Sequence, residues 1–147
     1  MRQVQQLLNY LALLAKWGRL YTLPARLEPS EMLTHHLLDS LAIAPFLRGR
    51  RILDVGTGAG LPGVPMAILF PQREIHLLDS NGKKTRFLFQ VKTALRLDNM
   101  VVHQARVQSF QTAEPFDAVL SRAFASLQHM MQGCRHLLAP EGRLLAM

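Results

Sequence analysis

Residues 51 to 63 read Arg-Ile-Leu-Asp-Val-Gly-Thr-Gly-Ala-Gly-Leu-Pro-Gly, an apolar run carrying the carboxylate of Asp54 that breaks into four glycines. Ile52, Leu53 and Val55 are the aliphatic residues a buried parallel strand uses. Gly56, Gly58 and Gly60 remove Cβ atoms where the backbone must turn sharply and approach a ligand closely, leaving N–H groups free at the start of a helix. Pro62 and Pro65 then fall in the first turn of that helix, where backbone N–H groups have no intrahelical partner. The spacing Gly58-x-Gly60-x-x-Gly63 matches a dinucleotide-binding pattern, although a tight turn without a ligand would read the same way. A phosphate-cradling P-loop is excluded, because Val64 follows Gly63 and no Lys-Ser/Thr pair comes next. Two features favour S-adenosylmethionine over a nicotinamide cofactor. Asp54, two residues before Gly56, can face the amino-acid end of a zwitterion. The chain has only 147 residues, and a dinucleotide domain would use nearly all of them, leaving no room for a substrate domain.

A second carboxylate supports the same reading. Glu74-Ile75-His76-Leu77-Leu78-Asp79 is a short apolar run ending in an acid. In doubly wound sheets an acid at that strand end accepts hydrogen bonds from ribose hydroxyls, so Asp79 suits either adenosine cofactor. It could instead cap a helix, since Ser80-Asn81-Gly82 follows. His35 and His36 stand at i,i+4 and i,i+3 to Asp39, either as a substrate-facing pair or as an ion pair on a polar helix face. His76, His103, His129 and His136 have no metal-ligand spacing and read as structural.

The elements that must position these groups alternate. Val4, Leu7, Leu8, Leu11, Leu14 and Ala15 repeat at helical spacing, predicting an amphipathic helix over residues 3 to 17 ended by Gly18. Pro24 and Pro29 mark a loop. A second helix follows with Ser30 as N-cap and Leu33, Leu37, Leu38 and Leu41 facing inward. From Arg51 onward the spacing predicts strand 51 to 55, helix 62 to 69 stopped by Pro71, strand 74 to 79, and helix 82 to 97 burying Phe87, Leu88, Val91 and Leu95. Strand 100 to 104, strand 116 to 121, helix 124 to 138 and strand 142 to 147 complete the series. This is an α/β chain with a doubly wound, mostly parallel sheet. Residues 1–48 form a helical cap and residues 49–147 the ligand-binding core.

Composition agrees. A single domain of this length buries roughly 70% of the surface its unfolded chain would expose. Hydrophobic residues make up 49% and aromatics 7%, which suits an aliphatic α/β interior. Cys134 is the only cysteine, so neither an internal disulfide nor a cysteine zinc site can form, and a reducing cytoplasm is the expected setting. No apolar run approaches the roughly 20 residues of a membrane span. The apolar stretch 7 to 14 is interrupted by Asn9 and lacks a small-residue cleavage site, which argues against a signal peptide. Lys and Arg outnumber Asp and Glu by 17 to 10, a net charge of +7. Such an excess points to a polyanion, nucleic acid in particular, though it also serves solubility. It clusters at Arg48, Arg50 and Arg51 and again at Lys83, Lys84 and Arg86.

Trp17, Tyr21, His36-Leu37-Leu38-Asp39-Ser40, the run from Asp54 to Gly63, Leu77-Leu78-Asp79-Ser80, Gly82-Lys83, Phe87-Leu88 and residues 121 to 127, Ser-Arg-Ala-Phe-Ala-Ser-Leu, together resemble the glucose-inhibited-division-B family. Its members are 16S rRNA (guanine-527-N7)-methyltransferases. The resemblance covers essentially the whole chain and implies a Rossmann-like, S-adenosylmethionine-dependent fold. Members usually carry more helix upstream and, after the last strand here, a Lys-Gly segment and two further strands, so this is expected to be a shortened form whose sheet stops at five strands.

By position, the resemblance puts cofactor contacts at Gly56 and Leu61, at Asp79 on the ribose, at Val107 and Gln108 beside the adenine, and at Arg122 near the methyl-transfer cleft. Gln108 stands where an acid is common, Thr22-Leu23-Pro24 replaces Asn-Leu-Thr, and Gly18 replaces an Asn. The implied partner is 16S rRNA or the small ribosomal subunit, with no membrane, no metal and a monomer when full length. His36, Lys83, Lys84 and Arg86 are expected RNA contacts. Guanine N7 carries a lone pair and no proton, so no general base is assigned and catalysis reduces to in-line positioning. Arg122 could donate to guanine O6 or to a phosphate, or hold the cofactor carboxylate.

Overall fold

The computed structural model describes residues 2–18, 29–122, 124 and 126–147, without the side chains of 18 and 29–33. Tyr21, the Thr22-Leu23-Pro24 stretch, Ala123, Ala125 and the side chains of Ser30 and Leu33 lie outside the described residues.

Two helices, α1 (Arg2–Gly18) and α2 (Pro29–Ala42), precede an alternating series: β1 (Arg51–Val55), α3 (Gly63–Leu69), β2 (Glu74–Asp79), α4 (Gly82–Leu95), β3 (Met100–Gln104), β4 (Phe116–Ser121), α5 (Leu127–Cys134) and β5 (Leu138–Ala146). All four strand pairings are parallel, in the order β3-β2-β1-β4-β5. The expected doubly wound α/β architecture is therefore present. β1 is central because Ile52, Leu53, Asp54 and Val55 are all buried, which only a strand covered on both faces permits.

Alternation along the strands divides the core. Ile52, Ile75, Leu77 and Leu120 face a layer built from α1, α3 and α4, with Tyr10, Leu14, Met66, Ile68, Phe87, Leu88 and Val91 packed against them. Leu53, Val55, Leu78 and Val119 face Met130, Cys134 and Leu137 at α5 and the 3-10 turn Arg135–Leu137 that follows it.

Several boundaries differ from expectation. α2 begins at Pro29, with Ser30 within the helix; the expected cap rests on the Ser30 side chain, which lies outside the described residues. Pro62 is the N-cap residue of α3, and Pro65 alone of the two prolines sits within the first turn. The helix expected over 124 to 138 runs only from Leu127 to Cys134, because the Ser126 hydroxyl accepts from the His129 N–H and fixes its start. β5 starts four residues earlier than expected: Phe116 pairs with Leu138 and Ala118 with Arg143, so an irregularity absorbs the residues around Pro140, whose ring nitrogen cannot donate to the ladder. On α1, Val4 and Leu8 are about half exposed and the buried face centres on Tyr10 and Leu14. Leu38 on α2 is also exposed. In each case a helical repeat names a stripe, and the tertiary contact decides which side of it is covered.

Asp79 does not cap α4. Asn81 does: its Oδ1 accepts from the Lys83 and Lys84 N–H groups at 2.9 and 3.2 Å, satisfying donors that have no intrahelical acceptor. Asn81→Ala should cost about 1 kcal/mol, read as a lower urea midpoint with an unchanged m-value; an unchanged midpoint would show that water replaces the cap without loss.

Candidate cofactor site

The strand order reverses beside β1: the chain steps outward through β2 and β3, then returns to β4 on the other side. At such a switch point the loops leave in opposite directions and open a crevice beyond the carboxyl ends of the strands. A crevice of about 400 Å³ lies there, lined by Gly56, Asp79, Lys84, Val107, Gln108 and Phe124 among others. Four of the expected cofactor contacts, Gly56, Asp79, Val107 and Gln108, thus share one cavity. Leu61 does not line it; it packs half-buried against the core.

The glycine loop is held from three directions. The N–H groups of Gly56 and Thr57 donate to the Leu78 carbonyl at 2.8 and 3.1 Å, pinning the loop to the end of β2. The Gly58 N–H donates to Asp79 Oδ2 at 2.9 Å. Gly58 has φ +61°, a conformation L side chains rarely adopt, and a Cβ there would meet nothing within 4 Å, so the loop's outer surface is open to a ligand. At Gly63 the constraint is close approach: an added Cβ would lie 2.9 Å from Asp54 Oδ2 and 2.8 Å from Leu77 Cγ.

Asp54 lies beneath this loop and not in the crevice wall, a correction to the expectation that it faces the ligand. It is 1% exposed. Its Oδ2 accepts from the Thr57 hydroxyl at 2.7 Å and the Gly63 N–H at 2.8 Å, while no hydrogen bond reaches Oδ1 among the described residues. Burial pushes its carboxyl up to about 7, against the two hydrogen bonds and the Arg122 charge, with Asp79 adding to the rise.

Asp79 keeps a half-exposed carboxylate at the crevice floor, where Oδ1 accepts from the Asn81 N–H at 2.9 Å. Each oxygen retains a lone pair for a further donor, as a vicinal diol requires. Arg122 lies outside this cavity, on a neighbouring cleft of about 880 Å³ beside Asp39, Phe46, Leu127 and Met147. Its Nη2 is 3.3 Å from His36 Nδ1. The fold therefore joins His36 to Arg122, and no ion pair links His35 or His36 to Asp39 among the described residues.

The two basic clusters have different fates. Arg50 and Arg51 sit at the opposite end of the sheet, paired with Glu74 and Glu114 at 2.6 to 3.5 Å. Lys83, Lys84 and Arg86 are exposed at the start of α4, and Lys84 borders the crevice together with Arg106, which sequence reasoning missed. Also unforeseen was the contact of His76 with His103, 2.7 Å between Nδ1 and Nε2, since 27 residues separate them and only the β2/β3 register brings them together.

The raised Asp54 pKa has a signed consequence. Between its ordinary value of 3.8 and about 7, the folded chain holds a proton that the unfolded chain has released, so this group's contribution is complete below the lower value and is lost as pH rises through the upper one. Asp54→Asn removes that dependence. The melting temperature of the variant minus that of the parent should grow steadily from pH 4 to pH 7; a difference independent of pH would mean that Asp54 titrates normally.

The family model described as "rRNA small subunit methyltransferase G" matches residues 3–147. Ribosomal RNA small subunit methyltransferase G of Saccharophagus degradans is 57% identical over 146 residues, covering 99% of this chain and 66% of the relative, and that of Pseudomonas syringae is 54% identical over 145 residues, covering 99% and 68%. The chain thus spans about two thirds of the length of these curated relatives. Among solved structures, coclaurine N-methyltransferase superposes with a TM-score of 0.66 at 16% identity, over 86% of this chain and 38% of that one. The glycopeptide N-methyltransferase MtfA bound to S-adenosylhomocysteine does so at 0.65 and 17% identity, over 92% and 57%. The last two share the fold. With nearly the whole chain matched by the family model and more than half of its residues identical in full-length relatives, the chain belongs to the GidB family.

Proposed function

We propose that this chain is an S-adenosylmethionine-dependent methyltransferase acting on small-subunit ribosomal RNA, with N7 of a guanine as the methyl acceptor. The observation that carries the reading is the Asp79 carboxylate at the tip of β2, which lines the crevice together with Gly56 of the glycine loop, Val107 and Gln108 and accepts from the Gly58 N–H of that loop. S-adenosylmethionine would supply an electrophilic methyl group on its sulfonium. Asp79 would accept from the ribose hydroxyls, and Val107 and Gln108, across the crevice, would flank the adenine.

Arg122 and His36 would orient the guanine. The planar guanidinium suits the O6 acceptor or a neighbouring phosphate, and its contact with His36 limits the rotamers it samples. Because N7 offers a lone pair and loses no proton, these residues need only hold it in line with the methyl group. Lys83, Lys84 and Arg86, with Arg106, give the mouth of the crevice a positive rim for the RNA backbone. The N-terminal residues 1–48 act as a cap over the core 49–147, through α1 on the core and His36 at Arg122.

Labelled methyl transfer from S-adenosylmethionine to small ribosomal subunits, with mass mapping of the RNA, tests the reading: label on guanine N7 supports it, while cofactor binding without transfer would mark an inactive binding module. Asp79→Ala should weaken S-adenosylhomocysteine binding at least tenfold, since each charged hydrogen bond lost is worth ~1.5 to 3 kcal/mol; unchanged affinity by calorimetry would remove Asp79 from the site. Replacing Lys83 and Arg86 together by Ala should flatten the salt dependence of RNA binding by roughly 0.7 per lost phosphate contact. The same slope in variant and parent would make them a solvated face only.

A further inference from the structure

The glycine loop has a fourth restraint, from the element farthest from it in sequence. Tyr10 of α1 is fully buried, and its hydroxyl donates to the Ala59 carbonyl at 2.8 Å. The contact is tightly shaped: a Cβ on Gly60 would lie 3.2 Å from that hydroxyl, 2.5 Å from Val64 and 2.9 Å from Leu88. Below the loop, Asp54 grips Thr57 and Gly63. Ala59 lies between these two anchor points, so its peptide is the part of the loop that Asp54 does not hold. Burial and the nearby Asp54 carboxylate both raise the Tyr10 pKa well above its usual value, so the hydroxyl remains a donor throughout the working pH range.

We propose that Tyr10 is a positioning residue of the cofactor site: by fixing the Ala59 carbonyl it holds the Gly58-Ala59-Gly60 turn in the conformation that aims the Gly58 N–H at Asp79 and leaves the loop's outer surface open. This rests on the reading of the crevice as the cofactor site. Tyr10 touches no substrate and acts through the loop. Without its hydroxyl the half-buried Ala59 carbonyl loses its partner, and the loop escapes by sampling other turns. Apparent affinity falls in proportion to the competent fraction. A buried hydrogen bond of ordinary strength corresponds to about a tenfold loss. The first helix is thereby part of the cofactor site through one hydroxyl.

Tyr10→Phe keeps the ring and removes only the hydroxyl. Its dissociation constant for S-adenosylhomocysteine should rise about tenfold, and the amides of Gly60 and Leu61, both donating to the Thr57 carbonyl, should exchange with solvent faster while those of Val119 and Leu120 do not. For methyl transfer, KM for the cofactor should rise with kcat nearly unchanged. Leu14→Ala, on the same buried face of α1, is the control: it should lower the melting temperature and leave cofactor affinity at the parent's value. In the unaltered protein, Gly60 and Leu61 should already be protected before cofactor is added. The proposal is overturned if Tyr10→Phe binds and exchanges like the parent, if Leu14→Ala weakens binding equally, or if the parent's loop amides gain protection only with cofactor. Should the parent fail to bind S-adenosylhomocysteine, the cofactor reading falls, and the exchange rates in Tyr10→Phe still decide whether the hydroxyl orders the loop.

Discussion

A carboxylate buried at the carboxyl end of the central strand would be costly unless its environment repaid the lost hydration. Asp54 is so placed, and its repayment is structural: the Thr57 hydroxyl and the Gly63 N–H converge on one oxygen. That N–H belongs to the first turn of α3, where no backbone acceptor exists, so the same bond satisfies the helix start and the acid. β1, the loop and α3 become one rigid unit. Everything at the crevice follows, because the position of Gly58 relative to Asp79 depends on where this loop is tied. The compensation is incomplete, which is why the carboxyl titrates near neutrality and not in the usual acidic range.

A second set of polar groups, running from the starts of β1 and β2 to His103 of β3, does a different task. Arg51, Glu74, His76 and His103 form a chain of contacts at 2.6 to 2.7 Å that crosses from β1 through β2 to β3, with Arg51 also stacked over Phe116 at 4.8 Å. The hydrogen bond from His76, then the Arg51 charge, hold the Glu74 carboxyl below the usual range, whereas burial keeps His76 low and pushes His103 down to about 4. With both imidazoles neutral, Nε2–H of His76 donates to Glu74 and Nε2–H of His103 donates to His76 Nδ1, a single consistent direction. These contacts tie the three strands together, and their charged members, Arg51 and Glu74, lie at the strand starts, away from the crevice.

This separation also explains the charge distribution. The cluster at Arg50 and Arg51 is neutralised by Glu74 and Glu114 at the bottom of the sheet, so it adds little to any field above the crevice. Lys84 and Arg106 line the crevice and Arg122 the neighbouring cleft, each from a different loop or helix start. A polyanion approaching this end meets positive charge at the mouth of the site.

The sequence alone determined what depends on near neighbours: the strands, whose apolar runs require burial on both faces; the glycine turn, where backbone freedom is a property of the residue; Asp79, placed at a strand end by counting; and the sheet class, from strict alternation of elements. Local spacing could not decide which face of α1 or α2 is covered: Val4 and Leu8 share the helical repeat of α1 and Leu38 is expected inward on α2, yet all three are exposed. It could not decide the ends of α5 and β5, where a serine cap and the irregularity around Pro140 compete with helical periodicity. Nor could it pair His76 with His103, His36 with Arg122, or Tyr10 with Ala59, partners 27, 86 and 49 residues apart. Those contacts exist only after parallel crossovers set the register and the first helix packs across the sheet, because a directional bond of about 3 Å depends on the placement of whole elements.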